Sequence, residues 1–138
     1  MDFIIKGRHV NIWGVPSIGK NTEIADFVEI GGTTFMLTSL GENCKIQAFV
    51  FIPPGVHIGS NCFIGPHVCF GNDLHPHIGL ETTFENTYVG DNVSIGANAT
   101  ILPGVKIHDN AVIGAGAIIT RDIKEGETWI SPKAKKLT

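Results

Sequence analysis

A chain of 138 residues, 43% hydrophobic and 17% charged, is long enough for one packed domain spanning 1–138 and too apolar for disorder. A net charge of −3 gives no basic footprint for nucleic acid, and no apolar run approaches membrane-spanning length. The apolar Phe3-Ile4-Ile5 is cut short by Lys6, too soon for a secretory leader, so a cytoplasmic location is expected.

Residues 1–17 show little periodicity, although Ile12 stands six positions before Ile18. From Ile18 an aliphatic residue returns every sixth position, at Ile24 and Ile30, until the phase breaks in GGTTFMLTS. Leu40 resumes it ten residues after Ile30, so four residues are absorbed in a loop or an out-looped corner. The next run is Leu40, Ile46, Ile52, Ile58, Ile64 and Phe70, each followed four positions later, as far as Ile64, by a small or aliphatic residue such as Cys44, Val50 or Cys62. Pro53-Pro54-Gly55 suits a corner, where proline costs no ladder hydrogen bond. A second interruption, GNDLHPHIGLETTFENTY, is polar, with two histidines, one proline and no hexad pattern; it marks a loop over about 71–88.

The longest run begins at Val89 and continues through Ile95, Ile101, Ile107, Ile113 and Ile119, with Val93, Ala99, Val105, Ala111, Ala117 and Ile123 as partners. A strand alternates its side chains, so Val93 and Ile95 point in and Ser94 points out. The following residues must turn, and the slot three after each aliphatic residue holds Asn92, Asn98, Gly104, Asn110, Gly116 and Asp122, residue types that tolerate a left-handed backbone. Phe49 and His67 are exceptions in the same slot. One large and one small inward residue per hexad cannot be buried within a single coil, but stacked coils bury them as a column. The six-residue period therefore predicts an all-β parallel β-helix. Cys44 and Cys62, three hexads apart, fall on adjacent rungs as reduced core residues, and the odd total of three cysteines argues against a disulfide framework. Beyond Ile123, residues 124–138 carry Trp129, Pro132 and four lysines and are expected to cap the last coil.

The hexads resemble the hexapeptide-repeat acyltransferases, and the resemblance covers about residues 18–136. It implies a left-handed β-helix, which period alone would not give. FIGPHVCFGNDLHP, VSIGANATILPGVKI and VIGAGAIITRDI are similar to the N-acetyltransferases that act on nucleotide-linked amino sugars for surface polysaccharides such as lipopolysaccharide. Members usually carry Asn-Asp-x-aromatic-Pro, commonly followed by Arg. Here Asn72-Asp73-Leu74-His75-Pro76-His77 puts His75 in the aromatic slot and His77 in that of the Arg. That departure resembles the galactoside and maltose O-acetyltransferases, in which a His-Pro in the same loop supplies the catalytic histidine. The ending Ser131-Pro132-Lys133-Ala134-Lys135 is similar to the family's Gly-Asn-Pro-Ala-Arg without its Gly-Asn. The resemblance implies acetyl-CoA as co-substrate, no metal, a nucleotide-sugar or sugar acceptor, and a homotrimer. The flat, mostly uncharged outer faces along Ile64–Phe70 and Ile95–Ile107 agree with the last point.

Acyl transfer from a thioester needs a base, donors for the oxyanion and contact between the two substrates. His75, in the interrupting loop, is the candidate base, since histidine titrates near neutrality. Asp73, two residues away, is placed either to orient it or to make the turn with Asn72. His67 fills a corner slot six residues before Asp73 and is expected near the loop's base. Glu81 and Glu85 are placed either to meet an amino-sugar cation or as surface charges. The resemblance puts CoA beside the C-terminal coils, where Ala97, Ala115 and Thr120 occupy outward or corner positions and Lys133, Lys135 and Lys136 can meet its phosphates. Two other functions share this architecture. A metalloenzyme like the γ-class carbonic anhydrases needs three ligands, two spaced His-x4-His, a pair this chain lacks. A non-catalytic scaffold gives no reason for a histidine-bearing loop.

Overall fold

The computed structural model describes residues 2–79 and 83–138. All strands are short and parallel, and they stack into three faces of a left-handed parallel β-helix. Among the described residues, the first face has seven strands: Ile4–Ile5, Glu23–Ile24, Lys45–Ile46, Phe63–Ile64, Ser94–Ile95, Val112–Ile113 and Thr128–Trp129. The second has six: Asn11–Gly14, Glu29–Gly32, Phe51–Ile52, Cys69–Phe70, Thr100–Ile101 and Ile118–Ile119. The third has five: Ser17–Ile18, Ser39–Leu40, Val56–Ile58, Thr87–Val89 and Lys106–Ile107. No helix among the described residues is long and apolar enough to cross a membrane.

The hexad rule produces this register directly. Thr100 lies beside Ile118 and Ile101 beside Ile119, eighteen residues or three hexads apart. The large inward column of Ile46, Ile64, Ile95 and Ile113 is buried, as is the small column of Cys44, Cys62, Val93 and Ala111. Cys44 and Cys62 are free and buried, and each thiol donates to a carbonyl of the next coil, Gly59 O and Gly90 O, both at 3.1 Å. The neighbouring Cys44 thiol and burial push the Cys62 thiol up, so it stays protonated.

Both ends of the chain extend the repeat beyond its sequence signal. The unperiodic segment 1–17 already forms strands on all three faces, with Ile4 paired to Glu23 and Asn11 to Glu29. Its strands pair on without a regular hexad phase, and Ile4 and Ile5 remain exposed. At the other end the coil contracts. Ile123 bridges Ile107, and Ile113 pairs with Trp129, sixteen residues on. Asp122 therefore does not make the left-handed corner assigned to it; its carboxylate accepts from the Lys106 amide at 2.8 Å, and the next left-handed turn falls at Gly126 (φ 72°), above the Asn110 corner.

Phe49 and His67 do turn left-handed, at φ 62° each, as do His9 and Phe27 at 56°. These four rings form one stack along the corner between the first and second faces, with centroids 4.8–4.9 Å apart and planes within 20° of parallel. A left-handed backbone is unfavourable for residues with a bulky side chain. Ring stacking, worth about 0.5–1.5 kcal/mol per pair, offsets it. Phe49→Ala loses both neighbours while keeping the backbone penalty, and is expected to lower unfolding stability by about 1–2 kcal/mol. Phe49→Asn, which tolerates the corner, should cost less. Urea titration with an unchanged m value checks the order; equal losses would assign the left-handed corner no energetic cost, and no loss in either variant would assign the ladder no energetic role.

Candidate functional site

Both phase breaks lie at one corner, between the second and third faces. The shorter excursion follows Gly32 and turns on itself through Thr33 N to Met36 O at 3.0 Å and Met36 N to Thr33 Oγ1 at 2.9 Å. It is the out-looped corner expected from GGTTFMLTS. The longer one leaves after Phe70 and returns at Thr87, where Thr87, Tyr88 and Val89 resume register with Val56, His57 and Ile58. Its two arms pair antiparallel through Asp73 and Phe84, with Leu74 N to Thr83 O at 3.1 Å and Glu85 N to Asn72 O at 2.9 Å. Asn72 Nδ2 donates to Pro54 O at 3.0 Å, tying the loop to the corner beneath it.

His75 is exposed on this loop. Its backbone amide is held twice, by Thr83 Oγ1 at 2.7 Å and Asp73 Oδ1 at 3.1 Å, and Thr83 Oγ1 in turn donates to Asp73 Oδ1. Asp73 thus grips the His75 backbone and not its ring, which is the turn-making of the two roles open to it. The Thr83 hydroxyl, followed by the His75 amide, holds the Asp73 carboxyl below the usual carboxylate range. Sequence reasoning missed Thr83. Its signal was weak, since a hydroxyl eight residues from His75 has no fixed spacing in a loop.

His67 is not at the base of this loop. It ends the aromatic stack, at the opposite end of strand Cys69–Phe70 from the point where the loop departs. Corner slots repeat around the coil, but the loop occupies a different corner. Glu85 is exposed, and Glu81 lies outside the described residues.

The C-terminal candidates gather at the far end of the helix. A cleft of about 340 Å³ is lined there by Gly116, Ile118, Ile119, Trp129, Ile130 and Pro132. Ala115, exposed beside it, accepts a hydrogen bond from Ser131 Oγ at 3.3 Å through its carbonyl. Thr120 is exposed just past Ile119, and Lys133, Lys135 and Lys136 follow Pro132 into solvent. Ala97 is half-buried one rung back, its carbonyl accepting from Gly116 N at 2.8 Å. Trp129 and Ile130 carry no hexad signal, because the contracted last coil hides their register. Among the described residues, no three of His, Cys, Asp and Glu stand together as metal ligands.

The family model for bacterial transferase hexapeptide (six repeats) matches residues 38–72 and 86–121, just over half of the chain, parting where the long loop stands. No curated protein sequence matches the chain. Solved structures share the fold at low identity. PerB from Caulobacter crescentus, in complex with CoA and GDP-perosamine, is 17% identical with a TM-score of 0.76, over 94% of this chain and 55% of PerB. The acetyltransferase domain of PglB from Neisseria gonorrhoeae, with acetyl coenzyme A, is 18% identical with a TM-score of 0.78, over 99% and 58% of the two chains. A variant of AntD, an N-acyltransferase from Bacillus cereus bound to dTDP and coenzyme A, is 19% identical with a TM-score of 0.77, over 98% and 84%. The chain thus spans little more than half the length of the first two.

The loop geometry has a direct consequence. Thr83→Val removes the hydroxyl that donates to Asp73 and accepts from His75, and should raise the amide exchange rate of His75 by tenfold or more while the β-helix amides are unaffected. Because the folded Asp73 carboxyl is more acidic than an unfolded one, its contribution to loop order is fully present above the ordinary aspartate range near pH 4 and is lost as pH falls through its lowered value. Hydrogen exchange measured against pH checks both points, and a loop equally protected in the variant would remove Thr83 from this role.

Proposed function

Because the chain belongs to the bacterial hexapeptide transferase family, we propose that it transfers an acyl group, acetyl in the simplest case, from CoA to the amine of a nucleotide-linked amino sugar destined for a surface polysaccharide. The observation that carries this reading is His75, backbone-fixed and exposed on the one long excursion from the stack. PerB holds CoA with GDP-perosamine, and AntD holds CoA with dTDP, which supports a CoA donor and a nucleotide-sugar acceptor. Such substrates agree with a cytoplasmic enzyme. The flat outer faces and the open cleft at the C-terminal end suit a homotrimer in which a neighbouring subunit completes each site.

In this mechanism the amine nitrogen attacks the thioester carbonyl. The new C–N bond forms, the C–S bond breaks, and the nitrogen's proton passes through the His75 imidazole to the departing thiolate. The products are an amide and free CoA thiol. Asp73, Asn72 and Thr83 position the histidine by holding its backbone. The CoA pantetheine arm lies against the small residues Ala97, Ala115 and Thr120, and its phosphates meet Lys133, Lys135 and Lys136. His75-Pro76 itself favours a second reading, a hydroxyl acceptor as in the galactoside and maltose O-acetyltransferases.

Thiol release from acetyl-CoA, surveyed over amino sugars, nucleotide amino sugars and simple galactosides, tests the proposal. Its absence with every acceptor would overturn it. His75→Asn should lower turnover by roughly a hundred- to ten-thousand-fold with CoA affinity intact, and a loss under about fivefold would leave His75 a positioning role only. The paired substitution Lys135→Ala/Lys136→Ala should raise KM for acetyl-CoA and leave kcat nearly unchanged. An unchanged KM would return both lysines to solvent.

A further inference from the structure

The two excursions at the second–third face corner flank an open cavity of about 480 Å³ that no hexad requires. Trp13, Phe51 and Pro53 form its floor, Phe35 and Met36 one wall, and Phe84 with Asn72 the other. The second wall is the base of the His75 loop, since Phe84 bridges Asp73. The site is built, not left over. A Cβ on Gly31 would collide with the Trp13 ring, so glycine is needed there to let the indole lie where it does, and Gly55 turns at φ 96°, a backbone that favours glycine. Phe35 is 99% exposed and Phe84 52%, a costly arrangement for aromatic rings with nothing against them.

The lining dictates what fits. It contains no charged side chain. Its polar side chains are few and partly engaged within the chain: Trp13 Nε1 donates to Glu29 Oε1 at 3.2 Å, Asn72 Nδ2 to Pro54 O at 3.0 Å, and Thr33 Oγ1 accepts from the Met36 amide at 2.9 Å, which leaves Asn72 Oδ1 and the Thr33 hydroxyl proton. A phosphate would find no cation here, and a hydroxyl-rich sugar would find only Asn72 Oδ1 and the Thr33 hydroxyl to replace the hydrogen bonds it gives up to water. The occupant is therefore apolar. Of the two substrates in the proposed reaction, the acyl group supplies a part with no polar atom to satisfy, whereas a nucleobase stacked on these rings would bring an edge of ring nitrogens and exocyclic groups that this lining barely meets. A cavity of roughly 150 Å³ suffices for benzene, so this one far exceeds an acetyl methyl. A path to it exists: Ile118, Thr100, Cys69 and Phe51 are successive uncharged outward residues of the second face, leading from the C-terminal cleft to the cavity floor. Three rung spacings of about 4.8 Å make this about 14 Å, within reach of an extended pantetheine arm.

Resting on the acyltransferase reading, we propose that the donor is a CoA thioester of an acyl group longer than acetyl, whose hydrocarbon tail fills the cavity between Phe35 and Phe84. The bonds made and broken are those of the acetyl reaction; only the tail differs. Initial rates with acetyl-, butyryl-, hexanoyl- and octanoyl-CoA, paired with thermal shifts against the same thioesters and free CoA, test it. The expected result is a kcat/KM that rises by up to about fourfold for each added methylene before it levels, with octanoyl-CoA stabilising the protein more than CoA does. Phe35→Asp, at a solvent-exposed position that the core does not use, should erase that preference while acetyl-CoA turnover persists. Acetyl-CoA as the best donor, or a chain-length preference indifferent to Phe35→Asp, would overturn the inference and leave the acyltransferase reading standing. If no thioester is turned over, the acyltransferase reading falls, and equal thermal shifts for octanoyl-CoA and CoA would dispose of the cavity's role as well. A variant that changes sedimentation but not chain preference would assign the cavity to a subunit contact instead.

Discussion

Each coil must bury one large and one small side chain per face against the coil above and the coil below, and it has no other source of core. This constraint governs the rest of the molecule. The columns through Ile46, Ile64, Ile95 and Ile113 and through Cys44, Cys62 and Val93 leave no interior space for a ligand. Even the polar atoms inside are spent on the stack: Thr22 Oγ1 donates to Gly41 O at 2.7 Å and accepts from Cys44 N at 3.0 Å. Chemistry is confined to the outer faces, the corners and the two ends.

Residues can be added at the second–third corner without shifting register, because the turning amides there, Gly55 and Gly104, bond to the hydroxyls of Thr38 and Thr87, whereas those of the other corners, such as His67 and Asn98, bond to the backbone of the neighbouring coil. Four residues beyond Ile30 and thirteen beyond Phe70 are accommodated there, and in both cases the next strand pairs correctly, Leu40 with Ile58 and Val89 with Ile107. An insertion within a strand would turn every later side chain to the wrong face. That both excursions use the same corner, two coils apart, brings Phe35 and Met36 opposite Asn72 and Phe84. The cavity is thus a product of where the stack permits interruption, and it adjoins the loop that carries His75 because both come from the same interruption.

The sequence made legible what the stacking constraint repeats and little of what it does not. Strands, inward columns and most corners follow from the hexad phase, since each position meets the same environment eighteen residues on. Asn92, Asn98 and Asn110 turn left-handed as their slot demands. The first coil and the last were obscured because neither keeps a regular hexad phase: Ile4 and Ile5 sit exposed, and sixteen residues replace eighteen between Ile113 and Trp129. The ring stack of His9, Phe27, Phe49 and His67 looked like two exceptions because its favourable term is a contact across coils, not a local preference. The same reasoning misplaced His67, which shares a slot type with the corners but not the corner of the loop. In the loop itself Asn72, Asp73 and His75 could be singled out by type, while their bonding to Thr83 and Pro54 depends on how two arms pair, which no period encodes.

The way Asp73 is used bears on which nucleophile the loop suits. Its carboxylate is committed to the His75 amide and the Thr83 hydroxyl, and among the described residues no carboxylate of this chain is bonded to the His75 ring. A hydroxyl must give up its proton as it attacks, so it benefits most from an imidazole whose developing charge is stabilised by a carboxylate at the other ring nitrogen. A neutral amine attacks with its own lone pair and becomes acidic only once the C–N bond has formed. The proton then needs a relay to the thiolate more than a strong base. Under the proposed acyl transfer, a histidine held by its backbone fits the second requirement better than the first, which supports an amine acceptor even though His75-Pro76 resembles the motif of enzymes that acylate hydroxyls.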